Sequence, residues 1–435
     1  MTKNFQLFHR RTFKLQNPLE VNPQLFREIK GKISGRNIFI TSLLSMLMQL
    51  FVVISHLGQL PDIDRQNPQY SRYCTGPRSY SLEYLCHSKL GIWEINWNLF
   101  WHDIFICFSI ISIFILLIIG IYMIIADLVK EEQTGTLNFI RLSPQSASNI
   151  LLGKVLGVPI LVYFFVASIF PLHFMSGLKS NIPWYLILLF DIILIASCGL
   201  FYSFSLLVSF LKTGKAELKP WITTFVIGLF MLITTAIFFN DPSIRNSLAE
   251  YLLLFNPAIA LTYLLDAVSV PSNALDYLDS KSLGELLFYG QPLWTKASIG
   301  MSFIFLNYCL WTYWFWQGST RLFHNPNSTV FSKKQSYWIT GCFVVIALGL
   351  TLQNNRYNNL FENFILLQCL LFVMFLGLIA ALSPHRQTLY DWARYRHQLS
   401  KDGKLLGQEL VFGEKSPSTL AIAINAFIAT SIIVM

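Results

Sequence analysis

The chain has 435 residues, of which 54% are hydrophobic, 15% aromatic and only 13% charged. Soluble domains carry about 25% charge, so this composition excludes an ordinary water-soluble enzyme or binding domain. The formal charge of +9 could suggest nucleic acid, but the placement of the basic residues argues for another origin.

The apolar residues gather into almost uncharged blocks of 17 to 29 residues, each enough to cross a bilayer as a helix. Backbone groups in lipid must bond within their own segment. The predicted fold is therefore all-α, a polytopic bundle of about nine spans. The spans are read at 37–57, 104–126, 155–176, 183–211, 220–240, 297–318, 337–353, 363–382 and 418–435. With the N-terminus inside, the inner segments hold 23 of the 32 Lys and Arg residues and the outer segments nine. This positive-inside bias sets topology and needs no nucleic-acid partner.

Residues 1–36 are polar, basic and too long for a signal n-region, so the first apolar block reads as an anchor. Asn22 can cap a helix whose first residue is Pro23. Leu25, Phe26, Ile29 and Ile33 then form one apolar stripe, with Arg27 and Lys30 away from it. Lys32 and Arg36 fall at its edge and would snorkel to the headgroups. The segment 22–36 is predicted to lie in the inner interface.

The outer loop 58–98 contains Pro61, Pro68 and Pro77 and reads as an irregular cap. Cys74 and Cys86 share that loop and are expected to pair in an oxidising compartment. His102 and Asp103 stand at the outer entry to the second span and are read as wetted. The other five cysteines fall in spans, where they pack as small apolar groups.

Beneath the second span the chain runs from Asp127 to Lys154. Lys130-Glu131-Glu132 leads to Gly135, which permits a bend. Ser143-Pro144 suits the cap and first turn of a helix running to Leu152. A rigid helix–bend–helix element in the cytosol is expected. Farther on, Leu248 to Val268 is split at Asn256-Pro257 into two short helices, which suits a re-entrant segment protected by protein. Trp311, Tyr313, Trp314, Phe315 and Trp316 crowd the inner end of the sixth span and read as an interfacial belt. The inner loop 383–417 is either a second docking surface or a solvated connector. The chain reaches Met435 inside an apolar run; either the last span ends there or the polypeptide is longer, and the missing polar flank points to the second.

Glu132-Gln-Thr-Gly135-Thr136-Leu137, then Leu142-Ser143-Pro144 and Leu152-Gly153-Lys154, resembles the signature of ABC type-2 exporter permeases. The layout of 1–318 is similar to theirs: an interfacial elbow helix, six spans and re-entrant outer helices before the sixth. The resemblance implies a cytosolic N-terminus with elbow (1–36), a six-span permease core (37–318) and additional spans (319–435). It implies export across a plasma (inner) membrane, of bacterial type, by paired permease subunits or halves. A separate ABC ATPase subunit, holding ATP and Mg, would contact Glu131, Glu132, Gly135, Thr136, Leu137, Ser143 and Pro144.

A phosphate-binding loop requires G-x-x-x-x-G-K-[ST]. The four Gly-Lys pairs here precede Ile33, Val155, Ala216 and Leu405, so the chain lacks that route to ATP hydrolysis. No catalytic or metal-ligating spacing is evident in the sequence, and no cofactor bound by this chain is expected. Asp191 is the one acid deep in a predicted span, and such acids are costly and often functional. It could line a substrate path or bond a neighbouring helix. An ATP-independent secondary transporter or channel, or a membrane scaffold, remains the alternative.

Overall fold

The computed structural model describes residues 22–61, 70–77, 84–86, 88–89, 92–211, 214–240, 247–266, 286–352, 360–401 and 406–435. Among the described residues the chain is a helical bundle with three small hairpins at loop positions. Helices α1 (Pro23–Lys32), α2 (Gly35–Leu57) and α3 (Trp97–Gln133) come first. The third is continuous, with one π-helical turn at Ile115–Ile119. Then follow α4 (Thr136–Arg141), α5 (Ala147–Gly157), α6 (Ile160–Lys179), α7 (Trp184–Phe210) and α8 (Lys219–Asn240). The short α9 (Glu250–Leu253) and α10 (Pro257–Asp266) precede α11 (Ala297–His324) and α12 (Lys333–Thr351). The last four are α13 (Leu360–Leu382), α14 (Arg386–Lys401), α15 (Leu406–Phe412) and α16 (Thr419–Val434). The hairpins pair β1 (Tyr70–Ser71) with β2 (Tyr84–Leu85), β3 (Ser88–Lys89) with β4 (Ile92–Trp93), and β5 (Leu287–Phe288) with β6 (Gln291–Pro292).

Six described helices are long and apolar enough to cross a membrane: Gly35–Leu57, Trp97–Gln133, Ile160–Lys179, Trp184–Phe210, Ala216–Phe238 and Leu360–Leu382. The other three predicted spans coincide with α11, α12 and α16. The first carries Trp, Tyr and Asn residues, the second opens on two lysines, and the last is 16 residues long. Helices α3 and α7 are the most enclosed of the six, while α2 leaves Phe39, Met46 and Phe51 bare. Bare apolar faces on that scale are stable where lipid is the solvent. The chain is thus a multi-pass helical membrane protein.

α7 packs along α11, where Leu207 touches Gly318 and the Ser319 hydroxyl donates to the Ser203 carbonyl at 3.3 Å. Buried Asn256 ends α9 and starts α10. Its amide donates to the Met231 carbonyl and to the hydroxyls of Thr234 and Thr235, while its oxygen accepts from the Ala258 amide. One side chain therefore both caps a broken helix and moors it to α8.

The aromatic run in the second half of α11 departs from a simple belt. Trp311 donates inward to Tyr251 and Asn307, and Trp314 is buried, while Tyr313 faces out. At the start of α3, His102 is buried, and Arg72 forks the Asp103 carboxylate at 2.6 and 2.9 Å instead of leaving it to water. Cys74 and Cys86 form a disulfide beside the buried Tyr84.

Candidate functional site

The hairpin over residues 127–154 turns where α3 ends. Gly135 sits in the left-handed region with φ of 73°, which an L side chain enters at about 1–2 kcal/mol. It closes α3, since the Thr134 amide bonds the Lys130 carbonyl and the Gly135 amide bonds that of Glu132. The Thr134 hydroxyl donates to the Lys130 carbonyl, and the Thr136 hydroxyl to that of Glu131. Leu137 and Ile140 then turn α4 into the core. The residues of Glu-x-x-Gly-Thr-Leu thus stop one helix, satisfy its last carbonyls and lead the chain back into the core.

The helix expected from Ser143-Pro144 to Leu152 is displaced. Leu142 and Ser143 spend their amides closing α4, on the Asn138 and Ile140 carbonyls. The chain therefore turns through Pro144–Ser146. Ser146, and not Ser143, caps the next helix by accepting from the Asn149 amide at 3.3 Å. That helix runs to Gly157, five residues beyond the expected end. On the outer side of the turn, Phe139 and Leu142 are 76% and 83% exposed. Glu132 is exposed as well, whereas Glu131 turns inward.

Glu131 joins a charge cluster that the sequence reading missed. The buried Lys154 ammonium lies 2.7 Å from Glu28, 2.6 Å from Asp127 and 2.6 Å from Glu131. Arg27 pairs with Glu131 and Glu28, and Lys32 with Glu28 at 3.2 Å. Three acids thus meet three bases across α1, α3 and α5. Burial pushes the Glu28 carboxyl up, but Lys154 and then Lys32 outweigh it and hold it down to about 2. Burial opposes the Lys154 charge too, yet Asp127, Glu28 and Glu131 raise its pKa overall. The three carboxylates converge closely enough to suit a cation, and the Lys154 ammonium already takes that place.

Two glycines let α1 come this close. A Cβ at Gly157 would lie 2.5 Å from the Glu28 Cβ, and one at Gly153 would lie 2.8 Å from the Leu25 amide nitrogen. Asn22 completes the join by accepting from the Leu25 amide and donating to the Asn149 carbonyl at 2.6 Å. The inward face of α1 is therefore polar (Asn22, Gln24, Glu28), and Phe26 and Ile33 face out. Lys32 is turned inward to Glu28 rather than snorkelling outward. The available signals were Asp127 and Glu131 one turn apart, and Gly153 and Gly157 with the same spacing.

Asp191 lies elsewhere, on α7. Its Oδ1 is 3.9 Å from Nδ1 of His173, whose Nε2 is 2.9 Å from the Ser109 hydroxyl. His173 stacks on Phe105 with centroids 4.6 Å apart. The acid thus faces a polar link across α3, α6 and α7, and Ser109 and His173 are fully enclosed.

A family model described as ABC-2 family transporter protein matches residues 27–352. No curated protein and no solved structure matches the chain. The matched stretch takes in the charge cluster, the hairpin over 127–154 and the helices from α2 to α12. This chain belongs to the ABC-2 family of transporter proteins, whose members are ABC permeases.

Proposed function

We propose that the chain is the membrane subunit of an ABC-type exporter and that a separate nucleotide-binding subunit hydrolyses ATP, with Mg, beneath it. In this reading nine helices span a plasma (inner) membrane of bacterial type, the N-terminus is cytosolic, and α1 lies in the inner interface as an elbow. Two permease subunits or halves form the path. The ATPase docks on Glu132, Gly135, Thr136 and the turn through Ser143 and Pro144. Glu131 and Leu137 hold that turn from inside.

The observation that carries the reading is the pair Phe139 and Leu142. They are bare apolar side chains on a turn whose other apolar residues, Leu137 and Ile140, are packed. Two such knobs three residues apart on a polar surface suit a groove on a partner. Because Lys154 ties α5 to α3 and α1, a push on the turn would reach three helices together.

The test is transport and ATPase co-purification in Phe139→Ser/Leu142→Ser, Glu132→Lys and Gly135→Trp variants. Loss of both with normal membrane insertion is expected. Unaltered transport in all three would remove docking from this turn. The facing Asp191 and His173 are the one feature favouring an ATP-independent, ion-coupled transporter. Transport that persists without any nucleotide would favour it.

A further inference from the structure

Helix α14 lies beyond the family match, which ends at residue 352. It follows α13, a candidate span, after only Ser383-Pro384-His385. Its start is therefore held near a bilayer boundary. Its sequence contains Arg386, Arg394, Arg396 and Lys401 against a single acid, Asp391.

Arg386, Tyr390 and Arg394 recur every fourth residue, so they form one line along the helix. All three are exposed, Tyr390 at 70%. Among the described residues neither arginine makes an ion pair. The opposite side, with Thr388, Leu389 and Trp392, is half-buried. Two exposed guanidinium groups flanking a tyrosine therefore line this helix beside the end of a candidate membrane span.

We infer that this stripe binds the phosphate headgroups of anionic phospholipids in the inner leaflet, with α14 lying along the membrane surface. Arginine forks match phosphate oxygens. A tyrosine ring prefers the headgroup level. The anionic leaflet attracts basic residues held at its surface. Position, charge and aromatic content agree on one occupant. The inference rests on the inside-facing orientation proposed above.

The test uses the full chain in nanodiscs of phosphatidylcholine alone or with about a quarter phosphatidylglycerol, read by hydrogen exchange over 386–394. Anionic lipid should slow exchange by about fivefold for each arginine engaged. Arg386→Gln/Arg394→Gln keeps helix-forming residues and should abolish that difference while leaving α13 and α16 unchanged. Equal exchange in both bilayers would overturn the inference. So would slowing that needs an added ATPase subunit and ignores lipid charge, which would make the stripe a protein contact. Mass-mapped labelling of Tyr390→Cys with an impermeant maleimide separates the two readings. Reaction only from the outer face would overturn the orientation and this inference with it. Reaction from the inner face without lipid dependence would overturn this inference alone.

Discussion

Two lysines, Lys154 and Lys333, are buried, and their surroundings differ in kind. Lys154, in α5, takes three carboxylates from α1 and α3. Lys333, at the first position of α12, takes the Leu410 and Pro417 carbonyls at 2.7 and 2.9 Å and the Ser416 hydroxyl at 2.7 Å. The first ammonium completes a balanced set of formal charges. The second gathers neutral dipoles from the segment leading into α16. The same side chain thus makes a charge lock in one place and a carbonyl clamp in the other. Losing a buried charge from a network strands its partners, whereas losing a clamp leaves only unpaired dipoles.

That difference predicts unequal damage. Lys154→Met should be the worse of the two, costing about 3–5 kcal/mol, because the buried Glu28 and the half-buried Asp127 and Glu131 lose their shared cation. Thermal unfolding in detergent should show it. Adding Glu28→Gln and Asp127→Asn should restore part of the loss, because fewer charges are stranded. No rescue would mean that the lysine acts through packing alone.

Acid should attack the charge lock next. The Glu28 carboxyl is held at about 2, below its ordinary value of 4.5. A depressed carboxylate contributes stability that is complete above the unfolded value and disappears as pH falls from about 4.5 toward 2. Glu28→Gln should flatten the acid limb of the stability profile. An unchanged limb would place the acid sensitivity elsewhere.

Only one side of this comparison could be read in advance, and only in part. Local stops were legible because one or two residues dictate them. Asn22-Pro23 opens α1, Gly135 ends α3, and Asn256-Pro257 divides α9 from α10. Pairings between distant segments were not legible, because Glu28 and Lys154 are 126 positions apart. Periodicity shows that α1 has two faces but not which neighbour each one meets. The stripe therefore predicts Lys32 snorkelling to the headgroups, although it folds inward to Glu28. The start of α5 was misplaced for a related reason. Ser143 and Ser146 are both capable caps, and the choice depends on which amides α4 has already used. Lys333 was counted only as an inner charge, since carbonyl partners leave no mark on sequence.

Lys333→Met probes the clamp. It leaves two carbonyls and a hydroxyl short of a donor, at about 1–3 kcal/mol. The loss should stay local. Proteolysis or hydrogen exchange should rise over 406–418, while α5 keeps its protection. The Tyr337 hydroxyl, which bonds the Val411 carbonyl at 2.8 Å, should hold part of the segment in place. Equal loosening of α5 would show that the two regions are one cooperative unit.

The smallest effect should come from the rim of the charge lock. Arg27 bonds Glu131 and Glu28, yet its own side chain is 49% exposed. Water and salt screen such a pair, so Arg27→Gln should cost no more than about 1 kcal/mol. Glu131 keeps Lys154 as its partner and is not stranded. The loss should shrink further in high salt, as exposed pairs do, while Lys154→Met should stay severe at any ionic strength. A large, salt-independent loss in Arg27→Gln would mean that the cluster is closed on its outer side too, with Arg27 as necessary to its charge balance as Lys154.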